Sequence, residues 1–181
     1  MMKNVFAFIS LATCLVASSC ISATVEVDSA CSSKTMMLPG VPPTVSDAIG
    51  KQDIVRSAVQ DMSKMLSQAS DVGDVTLSSA SVTVTALLGD LSFVESIDVS
   101  LHSDVLGDLL VGSSTINGRT KSVPIVIIAP HGKLLEWLRS GPVTATLTMP
   151  GTAPTQDTNL DLTICVGVSA HVEKSVSDIS K

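Results

Sequence analysis

Leu160-Asp161-Leu162-Thr163-Ile164-Cys165-Val166-Gly167-Val168-Ser169-Ala170-His171-Val172 decides the fold class of this chain. Every second residue is apolar, from Leu160 through Ile164 and Val168 to Val172. Unbroken period-2 alternation marks a β-strand with one buried face and one wet face. A helix would scatter the same residues around its circumference. Upstream, Val143, Ala145, Leu147 and Met149 alternate with Thr144, Thr146 and Thr148. The two ribbons are expected to pair as an antiparallel hairpin across the long loop 150–159.

The same pattern recurs earlier. Val75 and Leu77 lie in odd phase, whereas Ala80, Val82, Val84 and Ala86 lie in even phase. The slip near Ser78-Ser79 predicts a bulge or a break between two strands. Leu91, Phe93, Ile97, Val99 and Leu101 alternate again, with Glu95 in the apolar phase. A charge there requires a bulge, an edge or a partner. Asn117-Gly118 is a hairpin-turn signal, and the apolar run 123–129, with Pro124 near its start, reads as a buried strand.

One stretch has helical spacing. Ile54, Val55, Ala58, Val59, Met62, Met65, Leu66 and Ala69 form a stripe opposite Arg56, Gln60, Asp61, Lys64 and Gln68. Thr44-Val45-Ser46-Asp47 has capping-box spacing. These features predict an amphipathic α-helix over about 46–70. A short helical connector is expected over about 133–139, where Leu134, Leu135, Trp137 and Leu138 lie ahead of Ser140-Gly141-Pro142. The fold class is therefore mainly β, an antiparallel β-sandwich or open barrel carrying that helix and connector.

The N-terminus reads as a leader. Lys3 precedes an uncharged apolar run, 5–17, too short to span a membrane as a helix. The domain plan is a signal peptide 1–19, a tether and N-terminal segment 20–43, a β-rich domain with its helix 44–172, and a polar tail 173–181. Ala17-Ser18-Ser19-Cys20 resembles a bacterial lipobox, which implies lipidation of Cys20. The competing cleavage falls after Ala23. If Cys20 carries lipid and Cys14 leaves with the leader, Cys31 and Cys165 remain as a pair in an oxidising compartment. A disulfide between them would close a long loop, worth about 3–5 kcal/mol in the chain-entropy model.

The chain carries 11 basic and 17 acidic residues, a net charge of −6. No basic stripe is present for phosphate, and aromatic residues for stacking bases are scarce, so nucleic acid is not an expected partner. His102, His131 and His171 are isolated in sequence, and no zinc-binding spacing joins them. Asp157, Asn159 and Asp161 start like a calcium loop, but Leu162 and Val168 replace its glycine and its bidentate acid. No Gly-x-Ser-x-Gly elbow exists. Acid pairs such as Asp104 with Asp108, or Asp90 with Glu95, lie in loop-like stretches with few aromatics for sugar rings. Neither a catalytic set, a metal nor a cofactor is expected.

Phe93-Val94-Glu95-Ser96-Ile97 and Leu134-Leu135-Glu136-Trp137-Leu138, followed by threonine-rich strands, resemble uncharacterised secreted bacterial β-sandwich lipoproteins over about 73–172. The resemblance brings no activity with it. The expectation is a non-enzymatic envelope protein with a structural or partner-binding role. It would be held at the outer membrane or cell surface by lipid, or otherwise be periplasmic or secreted. Membrane contact would run through the anchor, and the further partner would be a protein or an apolar ligand. The alternative is a carrier holding an apolar ligand or lipid between helix 46–70 and the sheet, against Met62, Met65 and Leu66.

Overall fold

The alternating stretch becomes β8, Thr158–Ser175, in a computed structural model that describes residues 20–63, 66 and 74–175. Leu160, Leu162, Ile164, Val166, Val168 and Ala170 are all buried, as the alternation requires. The strands before it are β1 (Cys20–Leu38), β2 (Gln52–Gln60), β3 (Asp74–Ala86), β4 (Ser96–Ser103), β5 (Gly107–Thr115), β6 (Ser122–Ile127) and β7 (Val143–Gly151). Helix α1 (Pro43–Ile49) lies between β1 and β2, and α2 (His131–Arg139) between β6 and β7.

The strand order is β1-β8-β3-β6-β5-β4-β7-β2, antiparallel at every ladder. Each strand of the first half pairs with its mirror in the second: β1 with β8, β2 with β7, β3 with β6, β4 with β5. The chain is thus one long hairpin, rolled so that β8 also meets β3 and β7 also meets β4. That is the jelly-roll arrangement, which reduces exposed edges by wrapping the sheet on itself. β5 and β6 share only two residue pairs, so the sheet folds there into two four-stranded halves. Ile97, Val99, Leu101, Leu147 and Met149 from one half bury with the β8 row from the other. Leu134, Leu135 and Leu138 of α2 join the same core, and the Trp137 indole donates to the Gly107 carbonyl (3.0 Å).

The edge strands β1 and β2 meet through side chains. Arg56 Nε donates to the Met37 carbonyl (3.1 Å), and Ser32 Oγ donates to Gln60 Oε1 (2.6 Å). Gln60 is fully buried, and its Nε2 has no partner among the described residues.

The phase slip at Ser78-Ser79 is a bulge inside one continuous β3, between Leu77 and Ser79. β1 shifts register opposite the same residue of β8, between Val27 and Ala30. Both irregularities flank Gly167. A Cβ there would lie 2.5 Å from Ser79 Oγ and 3.0 Å from Ser78 Oγ. Glu95 falls just before β4, exposed and ion-paired with Lys51, while Val94 takes the buried position.

Five expectations need correction. The helix expected over 46–70 is not continuous: Pro43–Ile49 is helical, 52–60 is a strand, Ser63 and Leu66 are helical again with Leu66 N donating to Met62 O (3.1 Å), and 64, 65 and 67–70 lie outside the described residues. The strand phase turns Ile54, Arg56, Ala58 and Gln60 inward and leaves Val55, Ser57 and Val59 exposed. The capping box does not form: Pro42 is the N-cap, Pro43 opens the helix, and no side chain caps it. The tether expected over 20–43 is largely β1, paired along its length with β8. The hairpin expected between β7 and β8 is absent, because the two strands lie in opposite halves and the loop between them crosses the sandwich. The run 123–129 is half-buried rather than enclosed, with Val126 and Ile128 exposed.

Candidate functional site

The ladder registers gather four connections at one pole. Leu38 faces Thr158, Gln52 faces Gly151, Ala86 faces Leu160, and Ser96 faces Thr115. Connections 39–51, 87–95, 116–121 and 152–157 therefore share one end. Loops presented by a rigid scaffold are where binding residues concentrate.

Main-chain hydrogen bonds knit these connections together. Val41 N donates to Pro154 O (2.9 Å), Thr152 N to Phe93 O (2.8 Å), and Leu91 N to Thr120 O (2.8 Å). Buried Ser46 of α1 adds a bond from Oγ to Ala153 O (2.8 Å). Gly40 N donates to Asp157 Oδ1 (2.8 Å). Gly151 lets connection 87–95 lie directly on β7, since a Cβ there would sit 2.2 Å from Phe93 O.

Between α1, 87–95 and 152–157 these ties leave a cup of about 410 Å³. Asp47, Asp90, Phe93, Thr155 and Gln156 are among its lining residues. Asp90 is held below its ordinary value of 3.8 first by the Ser92 hydroxyl, then by the Ser92 amide, with help from Arg119 and Lys121. A carboxylate that accepts hydrogen bonds and faces cations favours its charged form. By contrast, Asp47, Thr155 and Gln156 have side chains with no hydrogen-bond partner among the described residues. They are exposed and uncommitted.

A groove of about 500 Å³ runs across β5 and β6. Its central hydroxyl is already spent: Ser114 Oγ donates to Pro124 O (2.7 Å) and accepts from Val126 N (3.1 Å). The cup is the better candidate because three of its polar side chains, Asp47, Thr155 and Gln156, are uncommitted among the described residues and its rim is tied by backbone bonds.

The chain matches no protein-family model. No curated protein sequence matches it either. Its reading rests on its own geometry.

Cys31 and Cys165 form a disulfide. They are directly opposed Cα partners on the outer face, and the bond closes a separation of 134 residues. Cys20 opens β1, opposite Ser175, at the pole remote from the cup. The expected signal peptide, 1–19, and most of the expected tail, 176–181, lie outside the described residues. Met62 and Leu66 are fully buried in the core, and Met65 lies outside the described residues. With 52–60 a strand, no continuous helix over 46–70 forms one wall of the expected cleft. No helix among the described residues is long and apolar enough to cross a membrane.

His102 has neighbours the sequence did not predict. Its Nδ1 lies 2.7 Å from Asp108 Oδ1, its cross-strand partner, and its Nε2 lies 3.6 Å from Asp104 Oδ1. All three are exposed at the β4–β5 turn, on the opposite pole from the cup. His131 is exposed at the start of α2, and His171 lies 3.4 Å from Thr24 Oγ1. Asp157 and Asp161 serve separate bonds, to Gly40 N and to Thr35 Oγ1. Among the described residues no three acids, histidines or cysteines converge as a metal site.

Sequence reading missed the cup's own residues. Asp47 looked like a helix cap, and Thr155 and Gln156 sat in a loop without periodicity. The one available signal was the length of 150–159, long for a connection in a compact domain.

Proposed function

We propose that the protein is an exported, lipid-anchored, non-enzymatic binding module that presents the cup away from the membrane. The observation that carries this reading is polar geometry: Cys20 and the cup lie at opposite ends of β1. At about 3.3 Å per residue, β1 covers on the order of 60 Å. Among the described residues, the first residues of β1 pair only with β8, and the described β3 ladder starts at Asp74 opposite His171. That two-stranded ribbon works as a stalk between an acyl anchor and the sandwich. The Cys31–Cys165 disulfide fits an oxidising compartment.

One observation favours binding over chemistry in the cup: Asp90 is biased toward its ionised form, the reverse of what a general acid needs. The histidine with a close carboxylate partner, His102, is exposed at the opposite pole from the cup.

Intact mass of the protein recovered from its native envelope tests the anchor. The expected species begins at an acylated Cys20 and is two hydrogen atoms lighter for the Cys31–Cys165 disulfide. An unmodified chain beginning at Thr24, or an uncut leader, overturns the anchoring.

A further inference from the structure

The cup's lining selects among ligand classes. Anions meet a chain of net charge −6 and two carboxylates, Asp47 and Asp90. A metal ion finds too few converging ligands among the described residues. An organic cation finds Asp90 already engaged by the Ser92 amide (3.0 Å), with Arg119 and Lys121 opposing it, and only Asp47 left as an uncommitted carboxylate. An apolar molecule would strip water from free polar groups without replacing its hydrogen bonds.

A neutral ligand rich in hydroxyls meets none of these objections. An ionised carboxylate accepts from two hydroxyls, and a primary amide both donates and accepts. Asp47, Gln156 and Thr155 supply those groups, and none is committed elsewhere among the described residues. Half-buried Phe93 offers an apolar wall for the C–H face of a sugar ring. The volume, about 410 Å³, lies within the range of about 300–1,000 Å³ usual for small-molecule sites. The backbone ties from Pro154 and Phe93 fix the rim before any ligand arrives, which lowers the ordering cost of binding.

We propose that the cup binds a neutral saccharide through Asp47, Thr155 and Gln156, with Phe93 as its apolar wall. This deepens the binding-module reading and rests on the cup being its binding surface, but it does not depend on the lipid anchor.

The test uses the full chain in a zwitterionic detergent, since a sugar-headed detergent would compete. The probes are methyl glycosides of glucose, galactose, mannose and N-acetylglucosamine, with the corresponding β-linked disaccharides. The readout is amide chemical shift. The expected result is saturable movement of signals from 89–93 and 152–158 with at least one probe. Asp47→Ala and Gln156→Ala should each weaken that probe at least tenfold while melting with the parent chain. Saturation elsewhere, equal affinity in both variants, or no saturable response to any neutral probe overturns the proposal. A stronger response at the cup to putrescine, inorganic phosphate or calcium chloride also overturns it, while leaving a binding module intact. Because leader and lipid do not affect this readout, failure here is separable from failure of the anchor.

Discussion

Single residues carry constraints that their identity alone does not announce. Gly167 occupies a polar-phase position of β8, yet it is buried, because both flanking strands bulge over it. A side chain there would collide with Ser78 and Ser79. Gly167→Val should therefore destabilise by about 1–3 kcal/mol, as overpacking does. Gly132→Ala, inside α2 where the added carbon meets nothing within 4 Å, should melt at or slightly above the parent. Equal melting of the two variants would refute the double-bulge account. Asp90 gives a second prediction. Its folded value lies below 3.8, so its contribution to stability is complete above 3.8 and fades as pH falls through the lower folded value. An NMR titration should place Asp90 below 3.8. Added salt should move it only part of the way back, because salt screens Arg119 and Lys121 but leaves the Ser92 bonds in place. A titration at or above 3.8 in low salt would contradict this.

At the scale of elements, legibility followed periodicity. β3, β4, β7 and β8 were readable because alternation over many residues admits only a one-sided strand, and the slip at Ser78 announced its own bulge. β2 was not readable, because Ile54, Val55, Ala58 and Val59 satisfy a helix as well as a strand. The ladder to β7 decides between them, and that pairing is invisible locally. Partner choice was hidden for the same reason: alternation shows that a face is buried, not what covers it. The cup was illegible because its loops have no period. β2 also shows how an edge is guarded. Inward Arg56 bonds the Met37 carbonyl of β1, beside exposed Val55 and Val59. Inward charges on edge strands discourage pairing with another chain. Arg56→Leu should therefore raise the sedimentation coefficient at concentrations where the parent shows no such rise. A second change, Val55→Lys, should reverse it. An unchanged coefficient for Arg56→Leu would mean that Ser32 and Gln60 close the seam alone.

At the scale of the whole molecule, the rolled hairpin places the two ends of the described chain side by side, with Cys20 opposite Ser175. Their pairing is the most non-local in the fold, so its loop-closure cost is the largest. The disulfide acts on that term. Cys31 and Cys165 lie 134 residues apart, for which the chain-entropy model gives about 4–5 kcal/mol. Replacing both by serine should lower Tm by on the order of 10–20 °C in a chain of this size. The cup should be insensitive to that loss. β1 is also secured at the other pole, by Gly40 N to Asp157 and Val41 N to Pro154 O, and neither bond depends on the cysteines. Below its own melting point the double-serine variant should hold the same cup geometry, read as unchanged amide shifts over 152–158. Hydrogen exchange should instead rise along the β1–β8 ribbon near Cys20. If the loop shifts move with the disulfide, the two poles are mechanically coupled along β1, and anchor and binding surface cannot be treated as independent parts.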